Sequence, residues 1–553
     1  MRFKQIYFIL LLLIIGILPA CNTSSPTKFN GVVVGISSDV ESLNPLFSFT
    51  VNEGNISELL YLSPLQFQWD SSKGELIPQP MLAKSWQWSK DSSSITFYFR
   101  KNVKWTDGVP FTVKDVIFSF DVYSDPLVQS RLFGTFKSLY TDSSQHINLA
   151  KTFKVVNPYE LIINFRKDAV PSLVDINIPI IPEHVFKNVD RKNLITYEKN
   201  HNSVFDGAFY LKKWNKNQSI ILQANKNSFL YKPGNIDRLI FKVIPDYTSR
   251  LTQLKQGEID LMEDIRADDV PILRNSNNLV ITAIKGREYD YIGWNNLNPS
   301  IYEKSKKIVS NQFFGDYRVR TALTDAINRE EILREFLDNH GEIAYGPVAP
   351  IFKSELDTTL IPRSYDPGKA KELLSQVGWR DSNNDGILDK NGKKFSFTLY
   401  IPSGNPRRQF AASIIQNNLR IVGIEVKIQS LEPEVFFGKM FDKKFNAWMA
   451  GWSVPIPLDL KPYWNSNLKE NILNVAGYQN HQVNTLLNKI DVEKSKEKRN
   501  NLNKKIQDII YKDEPFTFLY WIDNIVVYNK RIKGINVTPL GAVLHCWNWS
   551  VNK

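Results

Sequence analysis

Cysteine is nearly absent: Cys21 and Cys546 are the only two in 553 residues. Two thiols allow one bridge at most, so no disulfide framework can hold this chain together. Cys546 stands beside His545, but that pair lacks metal-ligand spacing, and a buried structural thiol is expected there. The six histidines, from His146 to His545, show no paired spacing. His-Glu-x-x-His, Gly-x-Ser-x-Gly, the P-loop and Cys-x-x-Cys are all missing. No nucleophile set or metal set is visible, so an enzyme is not expected and no cofactor is implied. One-sided charge blocks are lacking too. The formal charge of +12 is scattered, and the densest run, Glu493 to Arg499, mixes both signs. That run reads as a solvated helix face, and no nucleic-acid partner is expected.

Long apolar runs are missing except at the front. Tyr7 to Leu18 is almost wholly apolar behind Arg2 and Lys4. It is shorter than the roughly 20 residues a membrane span needs, and it suits an export signal over residues 1–20. The signal ends Leu18-Pro19-Ala20-Cys21, which resembles a bacterial lipobox, although Pro19 is unusual inside one. The resemblance implies lipidation at Cys21 and a membrane anchor, followed by a polar tether over residues 21–30. An exported, membrane-anchored lipoprotein facing the periplasm or cell exterior is therefore expected.

What is plentiful is aromatic residue, 12% of the chain, enough to line a cleft as well as fill cores. A chain this long is expected to hold two or three domains. The most informative stretch runs from Ala83 to Val122. Ile95, Phe97 and Phe99 alternate with polar positions, predicting a half-buried strand. Asp107-Gly108 predicts a turn. Thr112 with Asp115 predicts a capping box, with Phe111 and Val116 as its hydrophobic staple.

Ser85-Trp86, Ser89, Asp91, Arg100, Val103, Lys104-Trp105, Asp107-Gly108, Pro110-Phe111-Thr112 and Asp115-Val116 together resemble the signature block of family-five extracellular solute-binding proteins. These are the peptide- and nickel-binding components of ABC importers. The resemblance covers nearly all of residues 31–549. It implies an α/β fold of the periplasmic-binding-protein-like type II class, two lobes joined by a hinge, with the extra domain of peptide-binding members. The order implied is lobe 1 (31–60), extra domain (61–200), lobe 1 again (201–286), lobe 2 (287–512) and a return to lobe 1 (513–553). The chain is expected to cross between lobes near Lys285 to Tyr289 and near Asp513.

Local signals agree with α/β alternation. A hairpin is predicted around Asn157-Pro158. Helices are predicted from Tyr247 to Gln256, stopped by Gly257; after Asp316; after Asn328; after Asp366-Pro367; and from about Gln409 to Ile421. The last segment reads as two strands, Pro515 to Trp521 and Ile525 to Tyr528.

The candidate ligand loop is Ala450 to Trp464. Family members carry Gly-Trp here, then an acid that pairs with the ligand's free amine. This chain has Gly451-Trp452-Ser453, but Pro455 stands where the acid is expected, and Asp459 is the only carboxylate in the loop. Asp459 either serves a shifted amine or caps the turn. Trp452, Ser453, Tyr463 and Trp464, with Trp294 from a preceding strand, are the candidate cleft residues; core packing is the alternative for at least one ring. Asp381, Asn383, Asp385 and Asp389 resemble the start of a calcium loop, but Gly392 replaces the bidentate Glu of its twelfth position. An Asp/Asn/Gly turn is the plainer reading.

The expected function is a monomeric substrate-binding lipoprotein that captures a peptide or similar small solute between lobes. It would deliver the solute to an ABC permease and its ATPase. The alternative is a surface lipoprotein that uses the same fold for signalling or chaperone-like peptide binding without transport.

Overall fold

A computed structural model describes residues 30–552. The expected export signal, Cys21 and nearly all of the expected tether lie outside the described residues.

The signature stretch folds as its pattern requires. Ala83–Trp88 and Ser94–Phe99 pair antiparallel. Ile95, Phe97 and Phe99 are buried while their neighbours are only half-buried. Gly108 adopts φ +92°, a conformation side chains disfavour, and its N–H donates to the Trp105 carbonyl at 2.8 Å. Thr112 caps the helix Val113–Ser124, and Asp115 Oδ2 accepts from the Thr112 N–H at 2.9 Å in return. The predicted hairpin, Phe153–Asn157 with Glu160–Asn164, completes a four-stranded antiparallel sheet.

The main sheet has eleven strands, ten in one path and a short eleventh, Gly341–Ile343, paired to Phe516–Asn529. Two are long, Leu279–Trp294 and Phe516–Asn529, and they pair from Leu279 opposite Asn529 to Gly293 opposite Phe516. Beyond the second lie, in order, Leu261–Met262, Gly31–Ile36, Arg238–Val243, Ser219–Ala224 and Phe209–Asn215. Beyond the first lie Ala447–Ser453, Ser396–Pro402 and Glu425–Leu431. One ladder therefore runs through both lobes.

The register slips between Ile284 and Glu288, so Lys285, Gly286 and Arg287 bulge. Such a bulge bends a strand and increases its twist. Gly286 is needed there, because a Cβ would sit 2.0 Å from the Ile522 carbonyl oxygen. The two strands predicted for the last segment are one, Phe516–Asn529. Asp523 and Asn524 interrupt the apolar pattern, and Asp523 sits unpaired in the ladder opposite the bulge, between Asn524 and Ile522. Asp523 pairs with Lys285 at 3.5 Å, and Asn524 stays in register with Ile284.

Helix ends follow their local chemistry. Tyr247–Gln256 stops at left-handed Gly257. Asp316, Asn328 and Asp366 each cap the helix that follows. The helix predicted from about Gln409 begins earlier, as Pro406–Ile421, because Asn405 caps it and Pro406 fits its first turn. The mixed-charge run is only partly helical: Ser495 caps Lys496–Asp513.

Buried apolar side chains form three clusters. The first joins Gly31–Ile36 to the segment holding the signature stretch. The second lies under the helices around Val319 and Ile415. The third gathers Tyr291, Phe352, Trp464 and Phe518. A hairpin, Leu65–Asp70 with Glu75–Pro80, bridges the first and third: Leu65 is buried in one and Trp69 packs against the other. Cys546 is fully buried, as its apolar context predicts.

Candidate functional site: the cleft beside Asp459

The strand Ala447–Ser453 runs antiparallel to the first long strand, with Trp452 opposite Tyr289 and Gly451 opposite Asp290. Behind this point lies a buried ion cluster. Asp290, with no solvent exposure, accepts from Arg407 Nε at 2.8 Å, Arg408 Nη2 at 2.8 Å and the Tyr520 hydroxyl at 3.2 Å. Burial alone would raise the Asp290 pKa; the charges and hydrogen bonds of Arg407 and Arg408 outweigh it and hold the carboxyl at about 2. The cluster explains the glycine before Trp452. A Cβ on Gly451 would meet Arg408 Nη2 at 2.5 Å and Asp290 Oδ1 at 2.7 Å.

Trp452 is half-buried. Its ring lies parallel to Tyr291 at 6.4 Å and meets Tyr463 edge-on at 5.3 Å. Trp452 and Tyr463, together with Tyr289, Pro347 and Trp464, bound a slot of only about 10 Å³, barely one water in size. Trp464 is 1% exposed and packs on Tyr478 and Phe516, so it belongs mainly to the core. Trp294 is wholly buried, tilted against Phe314 and edge-on to Phe397, with its indole N–H donated to Thr517 Oγ1 at 3.0 Å. It presents no surface to a ligand. Ser453 ends its strand with an exposed side chain.

Open volume lies next to the slot. A cavity of about 840 Å³ separates the segment from Gly134 to Asp175 from the Asp459, Lys461 and Asp491 side. Phe136 on one wall belongs to the first core, and Leu460 and Leu487 behind the other belong to the third. Asp459 borders both slot and cavity. Its Oδ1 accepts the Lys461 N–H at 2.9 Å, a turn-capping contact that leaves the rest of the carboxylate open. Desolvation by the surrounding walls raises its pKa; Asp491 adds to the rise, while the Lys461 N–H, Lys137 and the Lys461 ammonium oppose it.

Sequence reasoning missed the wall contributed by Lys137, Arg166, Asp168 and Asp175. No local motif marks these residues, and only the tertiary fold sets them opposite a loop nearly three hundred positions away. The Asp381 loop is closed on itself. Asp381 accepts from the Gly386 N–H at 2.9 Å, Asp389 accepts from Ser382, and Asp385 pairs with Lys394. Among the described residues, no group of three or more His, Cys, Asp or Glu is arranged to hold a metal ion. Nor, among them, is any helix long and apolar enough to cross a membrane.

Two α/β lobes joined by paired strands, with a further four-stranded sheet beside them, define a type II periplasmic binding protein. Residues 78–474 match the bacterial extracellular solute-binding proteins, family 5, and the chain belongs to that family of non-enzymatic binders. The oligopeptide-binding protein AppA of Bacillus subtilis (strain 168) is 30% identical over 546 residues, 96% of this chain and 93% of its own. The structure of AppA from Bacillus subtilis in complex with a nonapeptide matches 95% of this chain and 100% of that one, with a TM-score of 0.73 and 29% identity. NikZ from Campylobacter jejuni in complex with Ni(L-His) matches 94% of this chain and 99% of its own, with a TM-score of 0.74 and 27% identity. The family and fold class read from the signature stretch are those found.

Proposed function

We propose that this chain is the substrate-binding lipoprotein of an ABC importer, capturing a peptide between its lobes and handing it to a membrane permease. The observation that carries the reading is the cavity of about 840 Å³ whose walls belong to separate cores and carry charges of both signs. Such a space suits a flexible zwitterionic ligand: burial supplies affinity, and a few polar contacts supply selection. Likeness to an oligopeptide-binding relative over nearly the whole chain supports peptide over a metal chelate. A micromolar complex would correspond to about −8 kcal/mol. Closure follows from tighter ligand binding to the closed form. Cys21 supplies the anchor in this reading.

The test is thermal melting and intrinsic tryptophan fluorescence of the mature chain with defined peptides of three to nine residues, and with nickel–histidine in parallel. Peptides are expected to raise the melting temperature and perturb the fluorescence of Trp452. A response to nickel–histidine alone, or to neither, would overturn the peptide reading. Replacing Cys21 with Ser should release the protein from cell membranes; retention would remove the anchor.

A further inference from the structure

The charges lining the cavity are not equally committed. Arg166 and Asp168 close on each other twice, Nε to Oδ1 at 3.1 Å and Nη2 to Oδ2 at 2.5 Å. Lys461 is taken by Asp491. Lys137 makes no side-chain hydrogen bond, and its ammonium acts on Asp459 across the gap. Of the four lining carboxylates, Asp175 is the one left. Among the described residues its carboxylate has neither hydrogen bond nor ion pair. It is open to the cavity on the wall facing Asp459.

Resting on the peptide-binding reading above, we propose that Asp175 is a specificity-determining residue: the docking point for a cationic nitrogen of the ligand, making the cleft selective for peptides that present a positive charge there. The physical argument is compensation. A carboxylate that opens into a cavity without a partner of its own favours an incoming ammonium or guanidinium, which supplies charge-assisted hydrogen bonds. Desolvation alone already moves the Asp175 pKa up to about 6, so the group is ionised at neutral pH yet poorly compensated. The cavity walls carry four carboxylates against three cations, which gives the same sign of preference at longer range. On the opposite wall Asp459 already accepts the Lys461 N–H and feels the Lys137 charge, so it is the more committed of the two.

The cation has two possible sources, the peptide's N-terminal amine or a Lys or Arg side chain, and the experiment separates them. Calorimetry on the mature chain would use four tetrapeptides: Ala₄, N-acetyl-Ala₄, and N-acetylated Ala peptides with one Lys or one norleucine at an internal position. A docking site for the terminal amine predicts that Ala₄ binds at least about tenfold tighter than its acetylated form. A side-chain site predicts the same ratio for Lys over norleucine. In either case Asp175→Asn should bring the ratio near one, and Asp175→Glu should restore most of it. A ratio near one in the wild type, or one that survives Asp175→Asn, overturns this inference while leaving peptide binding intact. Binding by none of the four overturns both readings.

Discussion

The indole of Trp69 meets the ring of Phe352 edge-on, with centroids 6.1 Å apart. It is the visible part of a wider contact. At the tip of the same hairpin, Glu75 forms an ion pair with Lys496. Gly74 approaches so closely that a Cβ would lie 2.0 Å from the Ile351 carbonyl oxygen. The hairpin rooted in the first core thus rests on the backbone of the third.

Trp69→Ala is expected to lower stability by about 1–2 kcal/mol, the sum of an aromatic pair and partial burial. Because the contact joins two cores, the same change should enlarge the ligand-free particle in small-angle scattering. An unchanged radius of gyration, with or without the stability loss, would show that the hairpin does not hold the two sides together.

Asp290→Asn leaves Arg407 and Arg408 facing each other without their shared anion. The expected cost is about 3–5 kcal/mol by chemical denaturation at pH 7. The wild-type Asp290 pKa, about 2 when folded, lies below the unfolded value of roughly 3.9. Its contribution is therefore complete above pH 4 and lost as the pH falls towards 2. The gap between wild type and variant should narrow over that window.

Glu355 behaves in the opposite sense. Burial raises its pKa from 4.5 to about 7, with the Arg499 charge only partly offsetting the rise, and its Oε2 has no partner among the described residues. The folded state prefers the protonated acid, so this group costs stability progressively from pH 4.5 up to about pH 7 and by a constant amount above. Glu355→Gln should be neutral at pH 4.5 and stabilising at pH 8 by up to about 3 kcal/mol. Melting curves at both pH values check it; equal shifts at the two would place the effect in packing instead.

Gly451→Ala forces a methyl group against Arg408 and Asp290. A loss of about 1–3 kcal/mol is expected, with a shift in tryptophan emission as the Trp452 strand moves. Normal stability with unchanged emission would mean that the ion cluster yields without cost.

Most of the fold was legible because its signals are local. The capping box at Thr112 and Asp115, the left-handed stop at Gly257 and the alternation from Ile95 to Phe99 each need only a few residues to act. The continuous strand from Phe516 to Asn529 was read as two because its polar centre is satisfied by Lys285, more than two hundred positions earlier. The site was legible on one wall only. Asp459 announced itself as the single acid of an aromatic loop, whereas Asp175 and Lys137 carry no motif and become neighbours of that loop only through folding. Trp294 was not legible as a core residue, because only the tertiary fold turns its ring inward to Thr517.

The paired ribbon running through both halves has a mechanical consequence. Bodies tied by slack loops can drift apart in any direction. Here the link is two hydrogen-bonded strands, bulged where Gly286 passes Ile522. Such a link resists sliding of one half past the other, so bending and twisting at the bulge are the motions it leaves open.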